Sequence, residues 1–142
     1  MFMGQYNHTI DAKGRLIIPS KFREKLGDSF IISRGFDGCL YAMDQEAFDE
    51  QYQKIKALPH SLKETREMER FFLVGAMEAE YDKQGRVLIQ ANLRSHAGLE
   101  KDVVLVGAGD KVEIWSLERW EKAEPDNIEE AAEKLANMGF DI

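Results

Sequence analysis

The chain carries the same pattern twice. Shifting its 142 residues by 71 positions aligns Gly4 with Gly75, Asp11 with Asp82, Gly14 with Gly85, Arg15 with Arg86, Ile18 with Ile89, Arg23 with Arg94 and Gly27 with Gly98. With one added residue in the second copy, Phe48 meets Trp120, so the correspondence runs over about 45 residues. Two copies are too few for a solenoid, whose core needs at least three stacked repeats. The two units are expected to complete one another around a single core, which a chain of this length can bury without disulfide or metal staples.

Each unit reads as strand, tight turn, strand, short helix and a second hairpin. In "DAKG" (11–14) and "DKQG" (82–85) aspartate stands at position i and glycine at i+3, the chemistry of a type I turn whose glycine supplies a positive φ. The strands "RLIIP" and "RVLIQ" follow, and Pro19 ends the first by withholding an N–H. Ser20 is the expected N-cap of a helix that puts Phe22 and Leu26 on one face, with Gly27 as its C′ residue; Leu93, Ala97 and Gly98 hold the equivalent places. "FIISR" and "CLYAM" around "GFDG", and "VVLV" and "KVEIW" around "GAGD", read as hairpins. Between the copies, Asp44 can cap a helix carrying Phe48, Tyr52 and Ile55, and "SLKE" (61–64) has capping-box spacing ahead of a second helix. After Pro125 a final acidic helix is expected over about 127 to 138.

Composition narrows the function. Cys39 is the single cysteine, which excludes an intrachain disulfide and a cysteine-rich zinc module and suits a reducing compartment. The start, "MFMGQYNHTID", has neither the basic nor the apolar region of a signal peptide, and no apolar run approaches the roughly 20 residues of a membrane span, so a cytoplasmic location is expected. The net charge of −7 is unevenly spread. Residues 11–25 carry Lys13, Arg15, Lys21, Arg23 and Lys25 against Asp11 and Glu24, whereas residues 118–142 carry eight acids against three bases. A locally basic surface around the first turn therefore survives the acidic total, since distant charge is largely screened beyond about 8 Å.

An arginine placed directly after a turn glycine projects from the rim of the domain. The plain explanation is a surface arginine paired with the turn aspartate, which contributes little. Duplication favours more than that, because the repeats have drifted at Lys13 against Gln84 and at Pro19 against Gln90 while the Asp, Gly and Arg spacing is unchanged. Two separated hairpin tips presenting Arg15 and Arg86, with Lys13 or Lys83 beside them, suit a phosphate backbone and a guanine edge, which arginine grips through O6 and N7. Asp11, Gly14, Asp82 and Gly85 have the turn-forming roles.

The chain resembles the MraZ family of bacterial transcriptional regulators, related to the AbrB-like (SpoVT-AbrB) DNA-binding proteins. The resemblance covers nearly the whole chain and rests on "MFMG", on both D-x-x-x-R motifs (Asp11 to Arg15, Asp82 to Arg86), on "RLIIP" and on "NLRSHAGLEKDVVLVG". It implies an α+β, β-rich fold in which two tandem AbrB-like repeats, 5–47 and 76–119, pair into one pseudo-twofold swapped-hairpin β-barrel. Helices would lie outside, with a helical linker over 48–75 and an acidic helix in 120–142. It also implies a ring-like homo-oligomer that binds double-stranded DNA at direct repeats upstream of the division and cell-wall gene cluster, in association with the nucleoid. Arg15 and Arg86 carry over as the motif arginines. Lys13 keeps a basic residue inside the first motif, whereas the second has Gln84 there and Lys83 one step earlier, so the two tips are not equivalent.

Two rival functions are weaker. An enzyme would need Asp11 and Asp82 to share a pocket as acid and base, yet both stand at turn starts, where the side chain serves the local backbone. His8, His60 and His96 have no metal-ligand spacing, and nothing calls for a cofactor or a small-molecule ligand. The better rival is a protein-binding module, antitoxin-like or a ring scaffold, using the acidic tail with Trp115, Trp120 and Phe140. The tryptophans also suit an ordinary β-rich core.

Overall fold

The computed structural model describes residues 1–142. The first unit runs β1 (Gln5–Thr9), β2 (Arg15–Ile17), α1 (Ser20–Leu26), β3 (Ser29–Arg34) and β4 (Leu40–Met43). Helices α2 (Gln45–Lys56) and α3 (Lys63–Val74) lead to the second unit, β5 (Met77–Glu80), β6 (Arg86–Leu88), α4 (Ala91–Ala97), β7 (Asp102–Gly107) and β8 (Val112–Ser116). The chain ends with α5 (Leu117–Ala123) and α6 (Ile128–Asn137).

The strands on either side of each Asp-to-Gly turn go to different partners. Beyond the turn, β1 and β2 share one isolated bridge, Ile10 to Leu16. From there β1 pairs with β7 of the second unit, and β5 pairs with β3 of the first. The resulting antiparallel sheet has the order β1-β7-β8-β4-β3-β5. Exchanging the two units turns this order into its own reverse, so the units are related by a pseudo-twofold axis that passes between β8 and β4. The fold is α+β, as expected, but the hydrogen-bonded sheet is open, with β1 and β5 at its ends; it does not close into a barrel. The remaining strands, β2 and β6, form a separate two-stranded ribbon.

Alternation of side chains along the central strands buries both faces of the sheet. Phe30, Ile32, Leu40, Ala42, Val103, Leu105, Val112 and Ile114 point to one side, where they meet Leu16 and Ile18, Val87 and Ile89, and Phe22, Leu26, Leu93 and Ala97 of α1 and α4. Both units thus feed one core. On the other side Tyr41, Met43, Val104 and Trp115 pack under Ile55 and Phe72 of α2 and α3. Trp115 meets Trp120 of α5 edge to face, ring centroids 5.7 Å apart, so both tryptophans belong to this second core, whereas Phe140 is exposed.

Local chemistry agrees with the sequence in most places. Asp44 caps α2 by accepting from the Ala47 N–H at 2.7 Å, and Gly27 and Gly98 end α1 and α4 with positive φ. Two caps differ. Pro19 holds the N-cap position of α1 and Ser20 is already helical; proline's fixed φ presets the entry without a side-chain acceptor. The "SLKE" capping box does not form, because α3 begins only at Lys63 behind Leu62, and the carbonyls of His60 and Ser61 accept from Arg66 instead. The short helix α5, capped by the Ser116 side chain, has no periodic signature of its own in the sequence.

A shared core predicts shared unfolding. Leu16 is fully buried in the first unit, and Leu16→Ala is expected to remove about 2–5 kcal/mol of stability. The tryptophan fluorescence of the second unit should lose its native signal at the same reduced midpoint as the far-ultraviolet circular dichroism. A tryptophan transition left at the wild-type midpoint would show that the units fold separately.

Candidate nucleic-acid interface

Each motif folds around its aspartate. The Gly14 N–H donates to the Asp11 carbonyl at 2.9 Å, closing the turn, and Gly14 takes a φ of +87° that an L side chain rarely adopts. One carboxylate oxygen of Asp11 accepts from the N–H groups of Lys13 (3.0 Å) and Arg15 (2.8 Å), and the other accepts from Arg15 Nε at 2.7 Å. The second turn repeats this. Asp82 accepts from the N–H groups of Gln84 and Arg86, both at 2.9 Å, and from Arg86 Nε at 2.8 Å, with Gly85 at φ +78°. The Asp-x-x-Gly-Arg spacing is therefore explained locally: aspartate shapes the turn with one oxygen and aims the arginine with the other.

These bonds hold both carboxyls below the usual carboxylate range, chiefly through the backbone N–H of Arg15 at Asp11 and of Arg86 at Asp82. Both are ionised at neutral pH. Whatever stability they add is complete above the unfolded-chain value of about 3.9 and is lost as pH falls through the lower folded-state value. That direction is the opposite of what a general acid needs at neutral pH. Neither aspartate lines any of the surface depressions.

The two motifs are one site, and the expectation of separated tips is corrected. In the β2–β6 ribbon Arg15 stands opposite Leu88, Leu16 opposite Val87 and Ile17 opposite Arg86. Backbone bonds extend the pairing into both turns, Ile89 N–H to the Gly14 carbonyl at 2.8 Å and Ile18 N–H to the Gly85 carbonyl at 3.2 Å. Arg86 Nη1 lies 3.8 Å from Asp11 Oδ2, whereas Arg15 has no such contact with Asp82. Asp11 thus faces two guanidinium groups and Asp82 one. The cause of the error is strand exchange, which brings together segments 71 residues apart.

Two further arginines lie at this site that sequence reasoning did not assign. Arg94 of α4 lies over Gly14, where a Cβ would come within 2.9 Å of its Nε and 3.0 Å of the Ile89 carbonyl oxygen. Arg23 of α1 lies over Gly85 so closely that a Cβ there would collide with it. Each short helix therefore covers the turn glycine of the other unit. Arg94 Nε donates to the Ile89 carbonyl at 3.0 Å, and neither arginine forms an ion pair. Their alignment in the repeat was a usable signal; that each reaches across to the opposite turn was not. With Lys13 and Lys83 exposed beside the turns, six basic side chains gather at or next to the two motifs, and the ion pairs there involve only the two turn carboxylates.

The repeat is matched independently by a family model described as "MraZ protein, putative antitoxin-like", which fits the chain twice, over residues 1–71 and 72–141. Full-length relatives carry the name "Transcriptional regulator MraZ". The one from Lachnoclostridium phytofermentans is 52% identical over 140 residues, covering 99% of each chain. Those from Heliobacterium modesticaldum and Ligilactobacillus salivarius are 53% and 51% identical, the former over the whole of both chains and the latter over all of this chain and 99% of its own. With both halves matched by the family model and about half of all residues shared with these relatives along the full length, the chain belongs to the MraZ family.

Proposed function

We propose that this protein is a sequence-specific DNA-binding transcriptional regulator that reads double-stranded DNA with the β2–β6 ribbon and its two turns. The observation that carries the reading is the pairing of β2 with β6, which sets Arg15 and Arg86 on one ribbon, each aimed by its own aspartate. A two-stranded ribbon fits a major groove about 12 Å wide. Because Nε is held by aspartate, the guanidinium plane is preset; the terminal nitrogens of Arg15 are left for a guanine edge, and Arg86 offers its own once Nη1 exchanges the 3.8 Å contact with Asp11 for the base. Arg23, Arg94, Lys13 and Lys83 meet the phosphates on either side.

The relatives' shared name supports the regulatory role. The exchange of β1 and β5 between units supports a swapped-hairpin origin for the pair of repeats, 5–47 and 76–119. The linker over 48–75 and the tail over 120–142 lie outside the reading unit. Several copies join in a ring whose ribbons meet direct repeats in the promoter of the division and cell-wall genes. The protein works in the cytoplasm, at the nucleoid, without cofactor or catalysis. A second reading, a protein-binding module, is favoured by the family description as antitoxin-like and by the exposed apolar side chains Ile128, Leu135, Met138 and Phe140 of the tail. A partner protein that co-purifies while promoter DNA binds without sequence preference would select it.

Arg15→Ala and Arg86→Ala are expected to keep the fold and to weaken specific binding by about 1–3 kcal/mol per lost base contact. Lys13→Ala should weaken specific and non-specific DNA alike and flatten the salt dependence by about one counterion. A gel-shift titration at several salt concentrations, with melting curves for each variant, separates the two roles.

Asp11→Asn keeps an acceptor oxygen for the turn but removes the charged anchor of Arg15 and the second carboxylate beside Arg86, which Asp82 still holds. The ratio of specific to non-specific affinity should fall by about tenfold, and non-specific binding should rise. Asp82→Asn, which frees a single arginine, should do less. Equal effects of the two variants would remove the asymmetry from the mechanism.

Assembly adds avidity. One chain contacts few phosphates, whereas joined copies gain about 10²–10⁴ from effective concentration. Binding to one isolated element should therefore be weak, and binding to two or more in tandem strong. Inserting about 5 base pairs between elements, half a helical turn, should abolish the gain. A spacing series in a gel shift, run beside the solution mass of the free protein, checks this.

A further inference from the structure

The outer face of the β2–β6 ribbon is not purely basic. Side chains alternate along both strands, so Leu16 and Val87 point into the core at 0% and 1% exposure while Ile17 and Leu88 point outward at 41% and 55%. Ile17 and Leu88 occupy the same position in the two repeats, 71 residues apart. The register sets Leu88 opposite Arg15 and Ile17 opposite Arg86. An aliphatic side chain therefore stands across from each motif arginine, in both halves of the pseudo-twofold.

A single exposed aliphatic needs no explanation. Two at equivalent places, on the face that carries the site's arginines, form a mixed surface with a distinct chemical preference. On either side of these strands the repeats have diverged, Lys13 to Gln84 in the turn before and Pro19 to Gln90 at the helix cap after, so the outward aliphatic is not mere inheritance of an unchanged stretch. Among nucleic-acid groups in the major groove, only the 5-methyl of thymine offers an apolar contact, while the guanidinium partner is guanine O6 and N7.

We propose that Ile17 and Leu88 are specificity-determining residues that pack against thymine 5-methyl groups, so that each half of the ribbon reads a guanine with its arginine and a neighbouring thymine with its aliphatic side chain. This rests on the DNA-binding reading above. Burying one methyl against Ile17 or Leu88 favours thymine over a base that lacks it by about fourfold, from the usual cost of about 0.8 kcal/mol per exposed methyl-sized group. The contact adds no charge, so its loss leaves the salt dependence unchanged, unlike the loss of a lysine or arginine.

The test uses full-length protein and a duplex carrying the promoter direct repeats of the proposed function, prepared with thymine or with deoxyuridine, which pairs identically and lacks only the methyl group. The wild type should bind the uracil duplex about fourfold more weakly for each contacted thymine. Ile17→Ala and Leu88→Ala should bind the thymine duplex more weakly, with normal melting and an unchanged salt slope, and should lose most of the discrimination against uracil. If the wild type is indifferent to uracil while Arg15→Ala still loses selective binding, the DNA reading stands and the methyl contact is wrong. Should the two aliphatic variants instead alter the solution mass of the free protein and leave uracil discrimination intact, the face is an interface between copies and the proposal fails. Failure of the wild type to select promoter DNA at all would overturn both readings together.

Discussion

The structure depends on one cross-repeat pairing, the antiparallel contact of β2 with β6 and the two backbone bonds that continue it into the turns. Without it the short strands would have no ladder, since each shares only a bridge or less with the strand before its own turn. A three-residue strand has little stability alone. Here the inward residues Leu16 and Val87 anchor the ribbon to the shared core, and the carbonyl of each turn glycine accepts from the opposite unit. Neither motif is complete inside its own repeat.

The same constraint sets the electrostatics. Once the turns close the two ends of one short ribbon, two aspartates and four arginines share one surface, and the carboxylates orient charge instead of cancelling it. Asp11 and Asp82 hold Nε of Arg15 and Arg86, which leaves the terminal nitrogens of Arg15 unpaired and gives Arg86 only the longer 3.8 Å approach of Nη1 to Asp11, while Arg23 and Arg94 have no carboxylate partner. Glycine at 14 and 85 is required twice over, by positive φ and by the arginine laid across it from the other unit. The orientation of Arg15 and Arg86 is thus fixed before any ligand arrives, which is the preorganisation the proposed DNA reading calls for.

Pseudo-symmetry is incomplete, and the departures lie close to the ribbon. Lys13 faces Gln84 in the alignment, Pro19 faces Gln90, and only Asp11 is approached by an arginine from both units. The two ends of the ribbon are thus chemically different.

Much was legible in the sequence because it is local. The 71-residue repeat, the Asp-x-x-Gly turns, the buried faces of α1 and α4, the Asp44 cap and the two glycine-turn hairpins all follow from neighbouring residues, since turn geometry and side-chain alternation are set within a few positions. The family was legible too, from the doubled D-x-x-x-R motif. Where the sequence misled, either an immediate neighbour or a distant partner decided. Ser20 and Ser61 have capping chemistry but do not cap, as Pro19 and Leu62 hold those positions. Whether two turns of one chain stand apart or side by side depends on strand exchange, a competition between ladders of similar local quality that is decided by which arrangement buries Leu16, Val87 and the helix faces together. That choice alone made one site out of two motifs, brought Arg23 and Arg94 onto the opposite glycines, and left the sheet open at β1 and β5.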